Sequence, residues 1–114
     1  MFQIGKFRIG LIHGHQIVPW GDEESLHAYM RDANVDILIT GHTHVQKITK
    51  IDDKYIINPG SITGVMTPLA QYFVNHRQAM PSFVLLEFKD LNITVYSYWV
   101  ENEEVKIEET VITK

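Results

Sequence analysis

The sequence predicts an α/β fold, on three observations. A short apolar run, an amphipathic helical stretch and a second apolar run follow one another between residues 7 and 40; almost everything after residue 45 is β-patterned; and three polar turns rich in His, Gly or Asn each follow a predicted strand. Strand, helix, strand is the order of a parallel crossover unit, and the later strands supply a second sheet to pack on the first. With 114 residues, 45% of them hydrophobic and 21% charged, the chain has the composition of one ordinary folded domain.

Each element has a local reason. Phe7 to Ile12 is apolar and β-branched, bounded by Gly5 and by the polar His13-Gly14-His15-Gln16, which marks a buried strand. Asp22 can cap the helix that follows, because Leu26, Tyr29, Met30 and Ala33 recur at helical spacing while Glu23, Glu24, Arg31 and Asp32 face away. Val35 to Thr40 is a second buried strand, ending at Gly41-His42-Thr43-His44. Successive parallel strands point the same way, so the two histidine-bearing loops are expected to share one end of the sheet, where such folds gather their ligand sites.

Beyond that point the β runs are Val45 to Ile51, Tyr55 to Asn58, Ser82 to Lys89, Ile93 to Val100 and Val105 to Ile112, with turns at Asp52-Asp53-Lys54 and Asp90-Leu91-Asn92. In Ser82 to Lys89 both alternating sets are apolar, Phe83 with Leu85 and Val84 with Leu86 and Phe88, which predicts cover on both faces. Gly64 to Met80 shows no clear period and reads as a long loop or short helix.

Composition excludes several classes. Without cysteine there is no disulfide, thiolate zinc site or cysteine nucleophile, so a metal would need His, Asp, Glu or Asn. The first eight residues lack the layout of a signal peptide and no run approaches the ~18 apolar residues of a membrane span, so cytosolic residence is expected. The net charge of −4 is spread along the chain, and no basic stripe exists to hold a nucleic-acid backbone.

Four of the six histidines lie in His13-Gly14-His15 and Gly41-His42-Thr43-His44. Residues two apart in an extended loop project to one side, so each pair can aim imidazoles at a common point. Neutral imidazole is the commonest metal ligand, and the neighbouring glycines let backbone approach an ion closely. A lone loop histidine usually caps a carbonyl or faces solvent; two close pairs after adjacent strands point to a metal instead. His27 in the helix and His76 in the irregular segment read as ordinary structural or surface residues.

Gly41-His42-Thr43-His44 resembles the Gly-His-x-His motif of calcineurin-like metallophosphoesterases, and His13-Gly14-His15 resembles their preceding His-Gly-His motif. Within that superfamily the unbroken stretch from Gly10 to Asp22, then Asp36 to Ile39, Tyr55 to Ser61 and Pro81 to Leu85, is similar to the vacuolar protein sorting 29 family, the small subunit of the endosomal coat retromer. The resemblance implies the C-terminal portion of an α/β/β/α sandwich, so that residues 1–114 form a single partial domain. Met66 to Met80 departs from the family's pattern.

The resemblance also implies a site. His13 and His42 would serve one metal ion and His44 a second, with His15 and Asn58 nearby. Two such cations about 3.5 to 4 Å apart can polarise a phosphate oxygen and generate hydroxide from bound water. That chemistry needs carboxylates, and the family's Asp-x-His, Gly-Asp or Gly-Asn and Gly-Asn-His-Asp motifs are absent here. Three imidazoles suit zinc better than magnesium or manganese, so a divalent ion, zinc or manganese, is expected to be held weakly if at all. The implied role is that of a non-catalytic scaffold, with a small metal-dependent phosphodiesterase as the alternative and a metal-free β-rich binding domain as the third reading.

As partners, the resemblance implies the large helical-solenoid subunit of retromer on the metal-site face, gripping Gln16, Ile17, Val18, Pro19 and Trp20, and regulators on the opposite face near Leu85 and Tyr96. Aromatic residues dominate interface cores, which favours the Ile-Val-Pro-Trp run as an anchor. Trp20 could equally plug the fold beneath the helix, and strand residues such as Leu85 are commonly core.

Overall fold

In the computed structural model the described residues are 1–14, 22–42, 45–61 and 80–114. The chain starts with a short strand, β1 (Phe2–Ile4), which turns back on β2 (Phe7–Ile12) so that Phe2 lies opposite Ile9 and Ile4 opposite Phe7. Sequence reasoning predicts no strand before Phe7, because three residues are too few to show an alternation. Helix α1 (Glu23–Ala33) begins where Asp22 accepts hydrogen bonds from the Ser25 N–H at 3.0 Å and the Ser25 hydroxyl at 2.7 Å. It ends at Asn34, left-handed at φ 57°, whose N–H closes on Met30 and Arg31 carbonyls.

Strand β3 (Ile37–Thr40) then runs parallel to β2, completing the expected crossover unit. Next come β4 (Lys47–Ile51) and β5 (Lys54–Asn58), a hairpin whose second strand is parallel to β3, so the sheet order is β1-β2-β3-β5-β4. A second sheet is an antiparallel meander of β6 (Ser82–Lys89), β7 (Asn92–Glu101) and β8 (Glu104–Thr113).

Alternation along the strands splits the apolar residues between two cores. Phe7, Ile9, Ile37 and Ile57 point toward the second sheet and meet Ile93, Val95 and Ile112. Leu38 and Ile56 point the other way and, with Val35, pack under Leu26 and Met30 of α1. The order of layers is therefore helix, sheet, sheet.

One expectation fails. Val84, Leu86 and Phe88 do pack against the inter-sheet core, but Phe83 and Leu85 are 45% and 54% exposed. Apolar patterning on both sides of a strand does not guarantee two covers; here Phe83 instead stacks flat on its cross-strand neighbour Tyr98, centroids 4.7 Å apart.

Polar contacts fasten the layers. The buried Gln46 side chain donates to the carbonyls of Phe83 and Tyr98, both at 3.1 Å, carrying hydrogen bonds from the first sheet to the second. At the other end Lys114 Nζ donates to Asp36 and to the Lys6 carbonyl, each at 2.6 Å, while Asp36 also accepts the Arg8 N–H at 2.9 Å. Burial pulls the Asp36 carboxyl upward, but the hydrogen bonds from Lys114 and Arg8 and the charges of Lys114 and Lys54 outweigh it and hold the group below the usual carboxylate range. Among the described residues no helix is long and apolar enough to cross a membrane.

Candidate functional site

Because β2, β3 and β5 are parallel neighbours, His13-Gly14, Gly41-His42 and Asn58 to Ser61 emerge at one rim of the first sheet. Hydrogen bonds tie the three loops together. The Gly41 N–H donates to the His13 carbonyl at 2.9 Å, and Asn58 Nδ2 reaches the Gly41 carbonyl at 3.4 Å. Asn58 Oδ1 accepts the Gly60 N–H at 3.0 Å, and the Ser82 hydroxyl donates to the Pro59 carbonyl at 2.9 Å, fixing the third loop to the second sheet.

The imidazoles of His13 and His42 meet edge to face, with ring centroids 5.1 Å apart and planes at 65°. The route to that meeting differs from the sequence argument. His42 is not extended but left-handed, at φ 73°, and Gly14 adopts φ 108°. A side chain at Gly14 would place its Cβ 2.7 Å from Thr40 Oγ1 and 3.0 Å from the Gly41 carbonyl, so the first loop lies on the second only because residue 14 is glycine. Gly60 is equally constrained, since at φ 83° its Cβ would stand 2.1 Å from Ser82 Oγ.

His13 is exposed and His42 half-buried, with its Nε2 shielded from water. A cleft on the α1 side of the rim is lined by Gly14, Thr40, Gly41 and Asn58 and by the Glu23–Lys47 ion pair at 2.7 Å. The Thr40 hydroxyl is buried there and has no hydrogen-bond partner among the described residues. Sequence reasoning missed Thr40 and Gln46; a threonine ending a strand and a glutamine just before one carry no local signal of either role.

His15, His44 and the run Gln16, Ile17, Val18, Pro19 and Trp20 lie outside the described residues, as does His76. His27 faces Asp52 of the β4–β5 turn at 3.6 Å, away from the rim. Leu85 and Tyr96 are register partners on the exposed face of the second sheet. The Tyr96 phenol is raised above its ordinary value by the Glu87 carboxylate, with burial, Glu109 and Tyr98 adding to it.

Chemically, His13 and His42 offer two nitrogen donors side by side, part of a zinc donor set. Among the described residues no group of three or more His, Cys, Asp or Glu is placed to hold a metal, so the described donors fall short of a two-ion centre.

Residues 1–91 match the calcineurin-like phosphoesterase superfamily domain. The chain belongs to that superfamily. Its recognition as kin of the vacuolar protein sorting 29 family is borne out as well. It is 33% identical over 105 residues to vacuolar protein sorting-associated protein 29 of Schizosaccharomyces pombe, covering 92% of this chain and 55% of that protein. The crystal structure of the wild-type Entamoeba histolytica protein complexed with zinc is 46% identical with a TM-score of 0.87, over 98% of this chain and 59% of that one. The Cryptosporidium parvum protein is 34% identical with a TM-score of 0.89, over 99% and 55%. The chain thus spans a little more than half the length of these superfamily relatives.

Proposed function

We propose that this chain acts as a non-catalytic scaffold of retromer, the endosomal cargo-sorting complex, and serves endosome-to-Golgi retrograde transport from the cytoplasmic side of the membrane. The observation that carries the reading is 46% identity over 98% of the chain to a vacuolar protein sorting 29 protein. In this reading the chain is one partial domain whose histidine rim, with Gln16 to Trp20 beside it, docks the large helical-solenoid subunit, while regulators meet Leu85 and Tyr96 on the other face. His13 and His42 hold one divalent ion and His44 a second, with His15 and Asn58 beside them. Zinc fits their nitrogen donors best, and the Entamoeba relative was crystallised with it. Without carboxylates to bridge and activate, such ions support the shape of the rim rather than hydrolysis.

Val18→Asp places a charge in the apolar loop and is expected to abolish binding to the solenoid subunit; undiminished binding refutes this docking mode. Calorimetric zinc titration is expected to show weak binding that His42→Ala removes. Manganese-dependent phosphodiester hydrolysis by the purified chain, lost in His42→Ala, would establish the enzyme alternative.

A further inference from the structure

We propose that the open edge of β8 is a strand-addition site for an extended partner segment that alternates apolar and basic side chains. The direction of the edge groups follows from the hairpin that precedes it. Glu101 lies opposite Glu104 across Asn102 and Glu103, at φ 52° and 64°, the two-residue primed turn that suits twisted strands. In such a hairpin the flanking pair exchanges both hydrogen bonds and every second residue repeats the pattern. Glu104, Lys106, Glu108, Thr110 and Ile112 therefore bond to β7. The N–H and C=O groups of Val105, Ile107, Glu109 and Val111 point away from it. The same rule applied to the β6–β7 hairpin directs Val100 toward the β6 side, where its N–H donates to the Pro81 carbonyl at 3.0 Å.

Among the described residues no strand pairs with this edge. The pairing of β7 with β8 runs unbroken from Asn92 opposite Thr113 to Glu101 opposite Glu104, and β8 contains no proline, so neither bulge nor proline blunts it. Three of the four residues in the outward row are apolar and open to water: Val105, Ile107 and Val111 are 71%, 53% and 59% exposed, with Glu109 between the last two. A long exposed edge with such side chains is a template for another strand unless charge protects it.

Charge selects the occupant. Residues 101–109 carry five glutamates and one lysine, so a second copy of the chain would set like charge against like. A basic guest strand instead gains Coulomb attraction. Its apolar residues would lie beside Val105, Ile107 and Val111, and its lysines or arginines on the face that carries Glu104 and Glu108. The site consists of backbone groups of β8 that are no part of the histidine rim; Glu109 stands opposite Tyr96, so the edge adjoins the Leu85 and Tyr96 docking proposed above, and amide exchange along β8 tests it separately.

The test measures amide hydrogen exchange by NMR on the full chain with three capped synthetic peptides: alternating valine and lysine, alternating valine and glutamate, and the lysine peptide N-methylated along one edge. The lysine peptide is expected to slow exchange roughly tenfold or more at Val105, Ile107, Glu109 and Val111 while leaving Lys106, Glu108 and Thr110 little changed. The glutamate peptide is expected to bind about tenfold or more weakly, and N-methylation to remove the protection. Equal protection by both unmethylated peptides overturns the proposal, as does protection confined to β6 and β7. Protection that rises with protein concentration in the absence of peptide would identify a second copy as the occupant and overturn it too.

Discussion

Replacing Gly14 with alanine tests how the histidine rim is built. The new Cβ would stand 2.7 Å from Thr40 Oγ1, 3.0 Å from the Gly41 carbonyl and 3.4 Å from His42 Cβ, and the residue would have to keep φ 108°. Forcing an L residue into that region costs about 1–3 kcal/mol. Relieving the overlap by moving the β3 loop adds about 0.5–1.5 kcal/mol, since the Gly41 N–H to His13 bond is stretched in the process, giving a total of about 1.5–4.5 kcal/mol. Urea unfolding followed by circular dichroism reads this as a lower midpoint at unchanged slope. A nuclear Overhauser contact between the two imidazole rings reports the geometry and should weaken. Because Thr40 Oγ1 is buried and has no partner among the described residues, adding Thr40→Ala removes the atom struck first and should restore about 1 kcal/mol, leaving the backbone strain in place. If Gly14→Ala stays within about 0.5 kcal/mol of the parent and keeps the ring contact, the account of the rim is wrong.

Asp36 offers a pH dependence. Its folded pKa is lowered, so its contribution is present above the unfolded carboxylate value near ~3.9 and is lost as pH falls through the lower folded value. Asp36→Asn is expected to cost about 1 kcal/mol near neutrality and less at acid pH, a difference that thermal melts across the range will resolve. Gln46→Met keeps the volume but withdraws donors from the Phe83 and Tyr98 carbonyls, and should lower chemical stability by about 1–3 kcal/mol. Ile93→Ala, in the inter-sheet core, should cost about 2–5 kcal/mol, whereas Leu85→Ala on the open face should stay within about 0.5 kcal/mol. Equal losses at the two positions in parallel urea titrations would show that the outer face is covered.

Much of the architecture was legible one residue at a time. Asp22, the spacing of Leu26 and Met30, the apolar runs before His13 and Gly41, and the long β runs after residue 80 are local signals, and each produced the element expected. Parallel direction then followed from strand, helix, strand order, and with it the meeting of two histidine loops at one rim. Family membership was legible for the same reason, because the motifs around residues 10–22, 41–44 and 55–61 are contiguous in the chain.

What only the tertiary structure decided concerns contacts between distant residues. The left-handed backbone at His42, the close approach of Gly14 to Thr40, and the reach of Gln46 across to Phe83 and Tyr98 join positions whose sequence separations carry no period. The exposure of Phe83 and Leu85 belongs to the same class. Alternation names the two faces of a strand, but what lies against each face is settled by layer packing, so an apolar pattern cannot by itself say which side meets water.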